Sequence, residues 1–221
     1  MNKLTLYNYY RSSTSYRVRI ALHIKKLSFD YKPIHLLNNG GEQNLPEYRK
    51  LNPVGGVPTL VNGDQVISQS FAIIEYLDEA FPQTYQLLPA HPYIKAKIRQ
   101  VCETINADIH PLQNLKLMQY LEAKLQYTQE QKNEWCQKWI HEGLSATEKI
   151  IGEFAKSYSF ADQVTAADLF IVPQLFSAKR FDVNYSKYTR LCIVNDNCLK
   201  LEAFQKAHPS NQIDTPAEAK S

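Results

Sequence analysis

Glycine is scarce in this chain, 7 of 221 residues. That weighs against an all-β fold, whose tight turns draw on residues that tolerate positive φ. Long apolar runs are missing too, and none approaches the ~18 residues a membrane-spanning helix needs, so no membrane partner is expected. The four cysteines, Cys102, Cys136, Cys192 and Cys198, contain no C-x-x-C pair, which argues against a redox pair. With six scattered histidines they offer no tight ligand cluster, so no metal is expected. An excess of one charge is likewise absent, since 25 Lys and Arg against 22 Asp and Glu leave +3. No basic stripe carries interleaved aromatics, so nucleic acid is not an expected partner, whereas a small acidic substrate is compatible. The start, residues 1–10, alternates polar and apolar positions without a small-residue cleavage site. It reads as a strand rather than a signal peptide, with a cytoplasmic location expected.

What is present divides in two. Lys3–Tyr9 sets Leu4 and Leu6 on one face and is expected to be a strand. Ser15–Lys26 follows as a helix, with Val18, Ala21 and Leu22 on one face and Ile20 and Ile24 alongside. Phe29–Leu36 reads as a strand, 37–43 as a loop and Pro46–Leu51 as a short helix. Thr59–Val61 and Gln65–Ile67 flank Asn62-Gly63-Asp64, a strong hairpin signal. Gln69-Ser70 then opens a helix through Ile73, Ile74 and Leu77 that stops before Pro82. This order, β-α-β-(α)-β-β-α, predicts a mixed sheet with helices packed on it. A proline-punctuated joint at 87–92 marks the expected boundary, with domains at 1–83 and 88–221, the second wholly helical. Thr128 with Gln131 and Thr165 with Asp168 read as capping boxes, the latter with Val164 and Leu169 as a hydrophobic staple. Pro173 predicts a kink. Trp135 and Trp139 read as core packing, and Ser210–Ser221 as a loose tail.

Three segments can carry chemistry. Arg11-Ser12-Ser13-Thr14-Ser15-Tyr16-Arg17 places hydroxyls where a helix begins, and there backbone N–H groups and the helix dipole favour an anion. Plain capping explains one of those hydroxyls equally well. Val57-Pro58, beside a strand edge, is either an ordinary trans bond or a cis peptide that leaves backbone free for a ligand. Gln69-Ser70 is a second helix opening, where a serine cap competes with an anion site.

All three occur in this order, in this topology, ahead of a helical half, and the set resembles the glutathione transferases. The likeness narrows to their zeta class through Arg11–Leu22, Leu51-Asn52-Pro53 and Gln69-Ser70 with Ala72–Leu77. It continues in Pro111-Leu112-Gln113-Asn114-Leu115, Arg180-Phe181, Leu201–Gln205 and Asp214-Thr215-Pro216, and so spans nearly the whole chain. The resemblance implies a thioredoxin-like α/β N-terminal domain joined to an all-α C-terminal domain, glutathione as cofactor and a homodimer. It also implies cis–trans isomerisation of a small dicarboxylate, maleylacetoacetate to fumarylacetoacetate, in tyrosine and phenylalanine catabolism. Maleylpyruvate isomerisation, or transfer to small α-halo acids, is the alternative, and a non-catalytic transferase-fold binding protein ranks below both. The class usually has Ser-Ser-Cys-Ser where this chain has Ser-Ser-Thr-Ser.

By the same resemblance, Ser12, with Ser13 and Thr14, serves the glutathione sulfur, and Arg11 and Arg180 the substrate carboxylates. Val57 and Pro58 pair with the peptide part of glutathione, and Gln69-Ser70 with its γ-glutamyl carboxylate. Gln43, His110, Asn114 and Lys116 complete the expected binding set, Lys116 lying towards the substrate mouth. Arg17 and Arg19, inside the helix, are expected to be mainly structural.

Overall fold

The computed structural model describes residues 3–220. Met1 and Asn2, at the head of the segment expected to be extended, lie outside the described residues, as does Ser221. Leu4–Asn8 forms β1, and it buries Leu4 and Leu6 while Thr5 and Tyr7 stay half-exposed, the alternation a strand covered on one face requires. Helix α1, Ser13–Ile24, leads to β2, Phe29–Pro33, which runs parallel to β1. A short α2, Pro46–Leu51, precedes the hairpin of β3, Thr59–Asn62, and β4, Gln65–Ser68. β3 lies antiparallel to both β1 and β4, giving the order β2-β1-β3-β4. Helix α3, Ser70–Ala80, closes the motif.

The expected order of elements holds, and the ends shift by local chemistry. α1 begins at Ser13 rather than Ser15 because Ser12 is its cap. β2 ends at Pro33, short of Leu36, in line with proline's lack of a ladder donor. At the far end of α1, Lys25 Nζ meets Asp78 Oδ1 at 2.8 Å, with the two side chains 0% and 6% exposed. Lys25 also donates to the Tyr85 carbonyl, and Asp78 accepts from the Leu87 N–H. The pair thus ties α1 to α3 and to the chain leaving it.

The helical stretch comprises α4, Pro92–Glu103, and a π-helical turn, Thr104–Ile109, then a 3-10 turn, His110–Gln113. After it come α5, Leu115–Leu125; α6, Gln129–Ile150; α7, Ala166–Arg180; and α8, Thr189–Leu199. Thr128 and Gln131 form the expected capping box at α6. At α7 the Asp168 carboxylate accepts from the Thr165 N–H and hydroxyl and from the Ser159 N–H. Burial pushes this carboxyl up, and the hydrogen bonds pull against that. Pro173 lies within α7, as expected. Among the described residues no helix is long and apolar enough to cross a membrane.

By internal contacts the chain forms two compact units. One runs to Leu87 and takes back the chain from Leu199 onward, including α9, Glu202–Ala207; the other is Leu88–Cys198. This division departs from the expected 88–221 after Cys198, because α9 packs along α1. The expected loose tail is corrected with it. Gln212 and Thr215 are buried, and side-chain bonds fasten the segment: Gln212 Nε2 to the Lys206 and His208 carbonyls, Thr215 Oγ1 to the Pro209 carbonyl. Its polar composition looked solvated, but those polar groups are spent on backbone. α1 is in consequence buried nearly all round, Arg17 and Arg19 included.

Lys25→Met strands the Asp78 carboxylate among buried neighbours. We expect it to lower stability by about 3–5 kcal/mol, read as a reduced urea midpoint. A loss below about 1 kcal/mol would show the pair to behave as a surface one.

Candidate active site

The turn Tyr9–Ser12 delivers the chain from β1 into α1, closed by Ser12 N–H on the Tyr9 carbonyl at 3.1 Å. Ser12, with φ −67° and ψ 120°, caps α1 by accepting from the Ser15 N–H at 3.2 Å. Its oxygen also lies 2.8 Å from Thr14 Oγ1, and Thr14 donates its one proton to the Val57 carbonyl at 2.9 Å. In that chain Ser12 is therefore the donor to Thr14. Capping takes a lone pair of Ser12 and leaves the proton, so the cap and the anion site are not rivals. Ser12 and Thr14 are part-exposed, whereas Ser13 is 6% exposed and Ser15 is buried with its oxygen 3.5 Å from the Tyr9 N–H. The part-exposed hydroxyls of the row are thus Ser12 and Thr14. Arg11, beside them, is half-exposed.

Val57-Pro58 is a cis peptide. Its loop is held by a residue whose only sequence signal was its place in Leu51-Asn52-Pro53. Asn52, buried, donates to the Gly56 carbonyl at 2.8 Å and to Thr59 Oγ1 at 3.2 Å, and its own oxygen accepts from the Val54 N–H. Tyr48 donates to the same carbonyl.

Gln69 has φ 72° and ψ 115°, a left-side conformation rare for a residue with a side chain. No side chain caps α3. Ser70, buried at its start, accepts from Arg17 Nη1 at 3.2 Å. Because guanidinium only donates, Ser70 keeps its hydroxyl proton for an acceptor. Gln43 is buried, donates to the Leu36 carbonyl at 3.3 Å, and has a carboxamide oxygen without a hydrogen-bond partner. Its seat requires Gly41, where a Cβ would overlap the carboxamide and φ is +95°.

The second unit holds the other expected residues. Asn114 caps α5 by accepting from the Lys116 N–H at 3.0 Å, and its amide lies 3.4 Å from His110 Nε2. Lys116 is exposed at that helix opening, and Arg180, exposed, ends α7 with its guanidinium 4.7 Å from the Phe181 ring centre. α6 holds both places. Trp135 Nε1 donates to the Leu112 carbonyl at 2.8 Å, and Gln137 Nε2 to the Phe181 carbonyl at 2.9 Å. The tryptophan pair is thus corrected. Trp135 and Trp139 are half-buried, and Trp135 spends its N–H on the segment between His110 and Asn114. Helical spacing predicts which residues face inward, but not that an indole edge meets a carbonyl.

Arg17 and Arg19 are buried and bond inside the chain, in keeping with the structural roles expected of them. Arg17 reaches Ser70, while Arg19 donates to the Tyr9 and Tyr10 carbonyls and to Asn8 Oδ1. None of the four cysteines is in a disulfide. Burial pushes Cys136 up to about 11 and raises Cys192 and Cys198 as well, so none of these three is a ready thiolate. Among the described residues no group of His, Cys, Asp and Glu is gathered to hold a metal.

Residues 6–85 match the family model for the glutathione S-transferase N-terminal domain. A probable maleylacetoacetate isomerase of Vibrio cholerae is 41% identical over 97% of this chain and 99% of its own length. A bacterial maleylpyruvate isomerase, described as a zeta-class glutathione S-transferase, superposes with TM-score 0.92 at 38% identity, covering 96% of this chain and all of its own. This chain belongs to the zeta-class glutathione transferases. A further member of known structure, the maleylacetoacetate isomerase of Anaeromyxobacter dehalogenans with glutathione bound, has TM-score 0.86 and 35% identity over 97% of the zeta-class chain described here and 98% of its own. Membership accounts for the joining of a mixed sheet to helices.

In this zeta-class chain the segment leading to His110 leans on Gly143 of α6, where a Cβ would overlap Cγ1 and Cδ1 of the buried Ile109. Gly143→Ala is expected to cost about 1–3 kcal/mol. Adding Ile109→Ala should make the double variant more stable than the sum of the single losses, as thermal melts of the three proteins would show. Strict additivity would contradict the contact.

Proposed function

We propose that this chain is a glutathione-dependent isomerase that converts maleylacetoacetate to fumarylacetoacetate. The observation that carries the proposal is the donor chain Ser12–Thr14–Val57 carbonyl at the mouth of α1. It offers a hydroxyl proton and a helix N-terminus to an anion while the cap stays made. The residues fit glutathione in other respects too. Ser70 keeps a proton for a carboxylate, and Gln43 has a spare amide acceptor. Three of the protein's own thiols are raised by burial, and residue 14 is threonine, so the sulfur comes from the ligand.

When bound, glutathione supplies a sulfur nucleophile that adds to and then leaves the conjugated double bond, so that rotation takes place about a single bond. The chain's work is to keep that sulfur ionised and to hold the acid. A free thiol of this type has pKa roughly 8.5, and lowering it by about two units takes ~2.7 kcal/mol. One hydroxyl donated to a charged acceptor supplies ~1.5–3 kcal/mol, and a helix N-terminus ~0.3–1. Ser12, turning its proton from Thr14 to sulfur, suffices with the helix behind it. Thr14 steadies Ser12 and donates in its turn. Arg11 and Arg180, both reachable by solvent, take the substrate carboxylates. Val57 and Pro58 line the peptide, Gln69 and Ser70 take the γ-glutamyl end, and His110, Asn114 and Lys116 complete the binding set, Lys116 nearest the substrate.

Maleylpyruvate is the second reading, supported by the likeness to the maleylpyruvate isomerase at TM-score 0.92. We place the enzyme in the cytoplasm, in tyrosine and phenylalanine catabolism, and as a homodimer, readings supported by its zeta-class membership.

Ser12→Ala should raise the pKa of bound glutathione by about one to two units and cut turnover at pH 7 about 3- to 25-fold, with Thr14→Val milder. Undiminished turnover by Ser12→Ala would remove Ser12 from its role. Specificity constants on the two maleyl acids, compared side by side, decide the substrate; a ratio above about tenfold for maleylpyruvate overturns the first reading.

A further inference from the structure

The turn that presents Ser12 is fastened at each backbone polar group of Tyr9 and Tyr10. The Tyr9 N–H faces Ser15 Oγ at 3.5 Å, and its carbonyl accepts from Ser12 N–H at 3.1 Å and Arg19 Nη1 at 3.3 Å. The Tyr10 carbonyl accepts from Arg19 Nη2 at 2.9 Å. Those partners are close in sequence. The Tyr10 N–H, by contrast, donates to Asp214 Oδ2 at 2.9 Å, across 204 positions of chain. The other oxygen, Asp214 Oδ1, accepts from the Tyr31 hydroxyl of β2 at 2.5 Å. Arg19 also reaches α9, the helix before this C-terminal strap, since its Nε donates to the Ala207 carbonyl at 3.0 Å.

We propose that Asp214 is a positioning residue for the sulfur site: from the C-terminal strap it holds the Tyr9–Ser12 turn, and so sets where Ser12 aims its hydroxyl. The inference rests on the isomerase reading above. A carboxylate suits the place because it accepts at both oxygens at once, from a backbone N–H on one side and a phenol on the other. An amide of the same shape can still keep both partners, its oxygen on the Tyr10 N–H and its NH2 on the Tyr31 oxygen, whereas alanine gives up both. Once the Tyr10 N–H is released, the turn keeps only its partners close in sequence, Ser12, Ser15 and Arg19, and Ser12 loses its fixed direction. A hydrogen bond to a charged acceptor weakens steeply as its angle and length drift, and displacements near 1 Å cost catalytic sites about 100-fold. The strap does not touch the proposed sulfur donor, so its effect is transmitted by the turn.

The test uses the full chain with Asp214→Ala, and Ile213→Ala, which alters a 73% exposed neighbour on the same strap, as control. Glutathione is added and the ultraviolet absorbance of its bound thiolate is titrated against pH. Binding of S-methylglutathione, which has no ionisable sulfur, is measured alongside. We expect Asp214→Ala to raise the thiolate pKa by about one unit, roughly a threefold loss of ionised fraction at pH 7 if the unaltered site holds it about two units below the free thiol. S-methylglutathione affinity should stay within about twofold, and Ile213→Ala should match the unaltered protein. If Asp214→Ala does not fold, Tyr31→Phe frees the other carboxylate oxygen and should move the pKa the same way by about half as much. An unchanged pKa in the variant that folds overturns the inference. So does an equal loss of S-methylglutathione binding, which would mark general damage. An unaltered protein that shows no thiolate at all would instead sink the isomerase reading itself, and this inference with it.

Discussion

A buried guanidinium organises the first unit. Arg19 is wholly enclosed, and burial lowers its pKa to about 10, which leaves it charged at neutral pH. Such a charge is tolerable only if its donors are met. They are met by the carbonyls of Tyr9, Tyr10 and Ala207 and by the Asn8 carboxamide. Satisfying one cation therefore dictates the path of the turn after β1 and the seat of the helix before the C-terminal strap. Ser12 stands at the end of that turn, so the geometry of the opening of α1 follows from electrostatics inside the core.

The hydroxyls at that opening show how structural and chemical demands share one atom. Ser12 gives a lone pair to the helix and points its proton at Thr14, from which only the hydroxyl need turn. Ser70 gives a lone pair to Arg17 and keeps its proton. In both cases the protein fixes the oxygen with a donor and leaves the hydrogen to be directed at an anion. The arrangement is preorganised, because little has to move when charge arrives. Asn52, fastening the Gly56 carbonyl beside Val57, brings a backbone loop into the same frame.

The sheet, its helices and the proline-marked joint were legible because they rest on local patterns: alternation in β1, Asn62-Gly63 in the hairpin, Thr128 with Gln131 ahead of α6. The hydroxyl row was legible as well, but its sorting was not. That Ser12 and Thr14 are reachable while Ser13 turns into the core depends on what covers α1, and both α9 and α3 pack on it. Trp135 misled for a related reason: its apolar bulk suggested packing, while its single N–H holds the Leu112 carbonyl. The strap misled most. Ser210, Asn211 and Gln212 have the composition of a solvated end, yet Gln212 and Thr215 bond to backbone carbonyls and Asp214 to Tyr10.

The sequence by itself determined the class of fold, the family and the residue types available to a sulfur anion, since these depend on spacing and chemical identity over short windows. Tertiary structure alone decided which hydroxyls are presented, which arginine donors are spent, and that residues after Leu199 belong with the first unit. Those outcomes rest on hydrogen bonds between groups far apart in the chain. No local periodicity encodes such bonds, and only the packed core brings their partners within reach.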